Sequence, residues 1–174
     1  MANIFIIAAP SGCGKTSLVK ALIEDSKNLS VSVSHTTRKA RQGEIDGKNY
    51  HFVSKEKFEK MISNQEFVEY AEVFGNMYGT TKKNIKEKLD KNIDIILEID
   101  WQGARQVRQN IFDAISIFIL PPSKKALLER LTTRGQDDEI TISKRMENSE
   151  REMSHFNEFS YLIINDQFDS ALNN

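Results

Sequence analysis

The clearest chemistry in the sequence lies near its N-terminus. Ala9-Pro10-Ser11-Gly12-Cys13-Gly14-Lys15-Thr16 fits the phosphate-binding pattern G-x-x-x-x-G-K-[ST], with alanine in the first position. An apolar run over 4–9 precedes it, and Leu18, Ala21 and Leu22 follow at helical spacing. The loop therefore joins a buried strand to a helix. The first turn of a helix has backbone N–H groups without intrahelical partners, and the helix dipole adds positive potential there. A triphosphate fits that environment. Lys15 would reach its terminal phosphates, and the Thr16 hydroxyl would coordinate Mg²⁺. Alanine keeps the small size needed at position 9 but not glycine's freedom, so the loop requires an ordinary backbone conformation at Ala9. The alternative is a tight strand-to-helix turn capped by Gly-Lys-Thr.

A second set of groups suits an anion. Arg38 and Arg41 stand three apart in a polar loop, so two guanidinium forks can converge on one phosphate. Tyrosine hydroxyls would add directional hydrogen bonds without charge. Taken alone, Arg38-Lys39-Ala40-Arg41 also reads as a solvated basic patch. His35, His51 and His155 are scattered, and no Ser/His or His/Asp constellation is evident. Cys13 is the single cysteine, which rules out an intramolecular disulfide; inside the phosphate loop it reads as a small filler.

These groups need a scaffold. At 174 residues the chain is long enough for one α/β domain with a full core. A net charge of −1 supplies no global basic field for nucleic acid or an anionic membrane. The N-terminal apolar run is too short for a signal peptide or a membrane span, so a soluble, cytoplasmic protein is expected. Continuous apolar runs over 4–9, 93–99 and 114–120, and a shorter one over 161–164, predict buried parallel strands. Helical spacing lies between them: Ile85 and Leu89; then Ala126, Leu127 and Leu131, led in by Pro121-Pro122-Ser123 and stopped at Gly135; then 141–156, with Met146, Met153 and Phe156 facing inward. That alternation predicts βαβ units. Residues 32–81 break the rhythm with short alternating stretches and one short helix around Phe58, Met61 and Ile62, which reads as a small mixed-sheet insertion.

The insertion contains Ser34-His35-Thr36-Thr37-Arg38-Lys39-Ala40-Arg41-Gln42-Gly43-Glu44, followed by Gly47-Lys48-Asn49-Tyr50. Glu69, Gly75-Asn76-Met77-Tyr78-Gly79-Thr80 and Glu98-Ile99-Asp100-Trp101-Gln102-Gly103 come later. Together with the phosphate loop, this series resembles the guanylate kinases from the N-terminus to about Ala171. The resemblance implies an α/β fold: a P-loop three-layer core with a parallel sheet (about 1–31, 82–125 and 157–174), an inserted small mixed α/β GMP-binding subdomain (about 32–81) and a helical lid (about 126–156). It implies transfer of the γ-phosphate of MgATP to GMP, with dGMP as a further acceptor, in purine nucleotide metabolism. It also implies roles for named residues. Ser34, Arg38, Arg41, Tyr50 and Tyr78 would bind the GMP phosphate, while Glu69, Thr80 and Asp100 would read the guanine. ATP would contact Ala9 through Ser17, together with Arg130, Asn165 and Asp166. Lys15, Arg41, Arg134 and Arg145 would carry catalysis, the last two from the lid with Arg130, and Glu98 would meet Mg²⁺ through water.

The chemistry is consistent with those types. Guanine presents adjacent N1–H and N2 amino donors, which one carboxylate at Glu69 accepts together; adenine lacks the pair. An exposed strand glutamate is the alternative for Glu69. Two other functions compete: a guanylate-kinase-like binding module of scaffold proteins, disfavoured by the intact Gly14-Lys15-Thr16, and a kinase of the same fold with another acceptor. Phe168 and Leu172, four apart, read as the start of an amphipathic helix, and guanylate kinases usually continue beyond the equivalent of Asn174 with another helix; without it, exposed apolar sheet or helix surface and lower stability or self-association are expected.

Overall fold

The structure is a computed structural model, and it describes residues 2–133 and 138–174. A five-stranded parallel sheet carries the site. Its strands are β1 (Ile4–Ala8), β2 (Leu29–Val31), β7 (Asp94–Glu98), β8 (Ile115–Leu120) and β9 (Tyr161–Ile164), in the order β2-β7-β1-β8-β9. Both faces are covered, which is why the central strands read as unbroken apolar runs. Ile4, Ile6, Ala8, Ile95, Leu97 and Phe118 point to one face, toward α3 (Lys82–Leu89) and α4 (Trp101–Asn110). Ile7, Ile96 and Ile119 point to the other, toward α1 (Lys15–Asp25), α5 (Lys124–Thr133) and the short α7 (Phe168–Asn173). The run over 161–164 forms the expected parallel strand, β9, but the expectation of burial is corrected: it is an edge strand with Tyr161, Leu162 and Ile164 exposed.

The insertion has its own sheet, in the order β4-β3-β6-β5, built from β3 (His35–Thr36), β4 (His51–Phe52), β5 (Phe67–Val73) and β6 (Asn76–Thr81). Phe58 and Met61 of α2 (Lys55–Ser63) pack on Phe67 to form a separate small core. Fully burying a side chain such as Phe58 contributes roughly 1.5–3 kcal/mol. Sequence-local caps fix several helix starts: the side chains of Ser54, Thr81 and Asp100 accept backbone N–H groups of Lys57, Asn84 and Gly103. Each is worth about 1 kcal/mol.

α4 is not announced by the apolar spacing, because its ten residues are mostly polar. Its side chains replace a neighbouring strand along the edge of β5. Gln106 accepts the Tyr70 N–H at 3.1 Å and donates to the Tyr70 carbonyl at 2.7 Å, and Asn110 donates to the Val68 carbonyl at 3.0 Å.

The expectation for Phe156 is corrected. Helix α6 spans Glu139–Met153, ends at Ser154, and a 3₁₀ turn over Phe156–Glu158 follows. The turn leaves Phe156 41% exposed and buries Phe159 instead, against Phe118 at 4.9 Å between ring centroids. The stop expected at Gly135 lies outside the described residues.

Candidate active site

The phosphate loop closes through the Cys13 N–H, which donates to the Pro10 carbonyl at 3.2 Å. Gly14 caps α1 with φ of 83°, a left-handed conformation that glycine adopts without strain. Ala9 is not among the positive-φ residues, so its backbone is ordinary, as the loop requires. Cys13 is fully buried, and burial pushes its thiol up to about 12, which suits a filler and no redox role. Lys15 and Thr16 open α1. The Lys15 Nζ donates to the Ile99 carbonyl at 3.5 Å, and the Thr16 hydroxyl donates to Glu98 Oε1 at 2.5 Å. Glu98 reaches the loop because β7 runs parallel to β1, with Glu98 in register with Ile7. Both strands therefore end at the site, as expected for a parallel sheet.

Two cavities flank the loop. One, of about 610 Å³, gathers Gly12, Gly14, Ser17, Arg130, Asn165 and Asp166. Two of those side chains are already engaged. Asn165 is buried, and its amide donates to the Cys13 carbonyl at 2.8 Å. Arg130 donates to the carbonyls of Asn165 and Asp166 at 2.8 and 3.5 Å. Both brace the wall of this cavity.

The second cavity, of about 310 Å³, brings together Ser11, Lys15, Ser34, Arg41, Tyr50, Glu69, Tyr78, Glu98, Asp100 and Arg145. Ala9, Pro10, Cys13, Thr16, Arg38 and Thr80 line neither space. Arg134 lies outside the described residues. Glu69 is 3% exposed, which removes the reading as an exposed strand residue. A register shift between Phe67 and Glu69 interrupts the alternation of β5, and three consecutive residues, Phe67, Val68 and Glu69, are buried. Bulges re-aim side chains in this way. Burial raises the Glu69 carboxyl to about 7; the Thr80 hydroxyl, which hydrogen-bonds it, pulls downward, and Asp100 pushes upward. Thr80 is itself fully buried and stands 3.1 Å from the Ser34 hydroxyl. Asp100 caps α4, accepting the Gly103 N–H at 2.8 Å and the Gln102 amide at 3.1 Å.

The two arginines are not equivalent. Arg38 forms a two-pronged pair with Glu44, at 2.9 and 2.8 Å, beside the Tyr50 ring. That pairing holds the Glu44 carboxyl below its usual range. Glu44 also accepts the Arg41 N–H at 2.7 Å, which leaves the Arg41 side chain directed to the cleft. Glu44 was thus visible in the motif, but its role as the clamp between the two arginines was not.

Glu152 has no motif to mark it. From α6 it accepts the Ser11 N–H at 3.2 Å, and burial raises its carboxyl. The Ser149 hydroxyl, also on α6, donates to the Ser11 carbonyl at 3.5 Å. Arg145, Ser149 and Glu152 follow one helix face, and that spacing was the available signal.

The guanylate kinase family model matches residues 1–174. The chain belongs to the guanylate kinase family. It is 58% identical over 170 residues to the guanylate kinase of Saccharophagus degradans, covering 98% of this chain and 83% of that protein. To that of Vibrio vulnificus it is 57% identical over 172 residues, with the same coverage of 98% and 83%. The crystal structure of guanylate kinase from Anaplasma phagocytophilum superposes with a TM-score of 0.81 at 36% identity, covering 99% of this chain and 81% of that one. A gluconokinase from Sinorhizobium meliloti, 14% identical with a TM-score of 0.53 over 98% of this chain and 87% of that one, shares the fold alone.

Proposed function

We propose that this guanylate-kinase family member transfers the γ-phosphoryl group of ATP, bound with Mg²⁺, to GMP, giving ADP and GDP. One observation carries the reading: a buried carboxylate, Glu69, opens onto the same cleft as Lys15 of the phosphate loop. Glu69 accepts the guanine N1–H and N2 amino donors, backed by Thr80, with Asp100 beside them. Ser34, Arg41, Tyr50 and Tyr78 hold the acceptor phosphate, and Arg38 adds its charge from behind Tyr50 while locked to Glu44. The nucleoside of ATP occupies the cavity braced by Arg130 and Asn165, next to Ser17 and Asp166.

The acceptor is a phosphate monoester whose second pKa is about 6, so at neutral pH its oxygen is already a nucleophile. No general base is required, and catalysis consists of positioning and charge neutralisation. The loop N–H groups and Lys15 fix the ATP tail, Arg41 bridges to the acceptor, and Arg134 and Arg145 stabilise charge on the transferring group. Within residues 126–156, α6 acts as the lid that excludes water, tied to the loop through Ser149 and Glu152, while α5 stays anchored in the core by Leu127 and Leu131. Arg130, bound to the β9 end, stays with the wall rather than travelling with the lid.

The residues fit Mg²⁺. Thr16 Oγ1 and Glu98 Oε1, two hard oxygen donors, meet at the head of the loop, and such donors suit this ion beside phosphate oxygens. Thr16 would hold it directly and Glu98 through water. When bound, it supplies neutralisation of charge on the β- and γ-phosphates.

A coupled ADP-release assay tests the reading, with MgATP and GMP, AMP, CMP, UMP or dTMP offered separately. Turnover is expected with GMP, and Lys15→Ala, which removes the charge that cradles the β- and γ-phosphates, is expected to abolish it or reduce it severely. A folded protein active on none of these acceptors, or equally active on all, would overturn it.

A further inference from the structure

We propose that Gly103 is a specificity-determining positioning residue, because the volume its missing Cβ leaves is where the Glu69 carboxylate sits. The inference rests on the reading of Glu69 as the guanine-binding group. Gly103 is buried in the first turn of α4, and its φ is not positive. Backbone freedom therefore does not demand glycine there, and alanine is the better helix former. Close approach demands it. A Cβ at position 103 would stand 2.5 Å from Glu69 Oε2 and 3.2 Å from Glu69 Cδ. The next contact, Ile99 Cβ, is an ordinary 3.4 Å away.

The clash falls on the far end of one side chain and not on backbone. Its cheapest relief is movement of the carboxylate itself. Thr80, fully buried, is the cross-strand neighbour of Glu69 on β6, so the space around the carboxylate is already filled there. The carboxylate must therefore leave the position in which its Oε2 sits against Gly103. A two-point hydrogen bond to adjacent donors weakens steeply with such misalignment. Gly103 is absent from the wall of the nucleoside-side cavity, so ATP binding is not directly touched. The glycine also couples guanine recognition to α4: the Gly103 N–H is held by Asp100, so Asp100, Gly103 and Glu69 form one packed unit.

The test compares Gly103→Ala, Glu69→Ala and the double variant on GMP and on IMP, which lacks the 2-amino donor. Gly103→Ala is expected to lower the GMP-over-IMP preference in kcat/KM about tenfold or more, with the loss in KM for GMP and not in KM for ATP. The double variant is expected to be no less selective than Glu69→Ala alone, since both changes remove one interaction. Wild-type preference in Gly103→Ala, or losses that multiply in the double variant, would overturn the inference. If Gly103→Ala fails to fold, the double variant decides: recovery of folding once the carboxylate is removed supports the steric account, and failure of both refutes it. The Glu69→Ala arm stands alone, and unchanged preference there removes the base-reading proposal and this inference with it.

Discussion

Replacing Glu69 with glutamine separates the cost of burying a charge from the benefit of presenting it. Glu69 is 3% exposed, and desolvation is the largest cause of the rise of its carboxyl from 4.5 to about 7. The folded protein then binds this proton more tightly than the unfolded chain does. Stability therefore falls as pH rises from about 4.5, and the loss is complete somewhat above 7. At pH 8 the shift corresponds to roughly 3 kcal/mol, since each pKa unit is about 1.4 kcal/mol. At pH 5 the carboxyl is protonated in the fold and most of the penalty is gone. Glu69→Gln keeps the shape and never ionises. Urea denaturation without nucleotide is the assay. The stability of the variant relative to wild type should be about 2–3 kcal/mol more favourable at pH 8 than at pH 5. Other titrating groups cancel in that comparison. On the proposed reading GMP supplies donors to the buried carboxylate, so it should stabilise the wild type far more than the variant at pH 8. An equal difference between the two proteins at both pH values would refute the reasoning, because Glu69 would then be titrating as a solvated carboxyl.

Two further predictions concern the phosphate loop. Asn165→Ala removes the amide that holds the Cys13 carbonyl, and should cost about 1–3 kcal/mol in stability while raising the KM for ATP more than that for GMP. Thermal unfolding and initial rates check it, and an unchanged melting temperature would remove the bracing role. Cys13, buried and with its thiol pushed up to about 12, should resist alkylation at pH 8 in the native protein and react only on unfolding. Rapid native labelling would show that the loop opens in the absence of nucleotide.

Much of the fold was legible because its signals are local. The loop glycines, Lys15 and Thr16, the unbroken apolar strands and the short alternating stretches of 32–81 each report a backbone preference within about ten residues. Helix α4 escaped that reading, since its buried face is narrow: Gly103, Ala104 and Val107 among polar neighbours. Its cap at Asp100 was the local sign, and the edge of β5 that it covers is distant in sequence. Phe156 was misplaced because helical spacing does not reveal where a helix stops, and α6 stops three residues short of it.

The sequence alone determined which chemistry was available: a phosphate loop, paired arginines, tyrosine hydroxyls and a candidate carboxylate. The tertiary structure decided what each group does with its partners. It buried Glu69 against Gly103 and Thr80, assigned Arg38 to Glu44 while directing Arg41 to the cleft, and set Glu152 and Asn165 against the loop. Backbone preferences and periodicity are written in neighbouring residues, but a side chain's desolvation and hydrogen-bond partners come from elements tens of residues away. They exist only once the chain has folded.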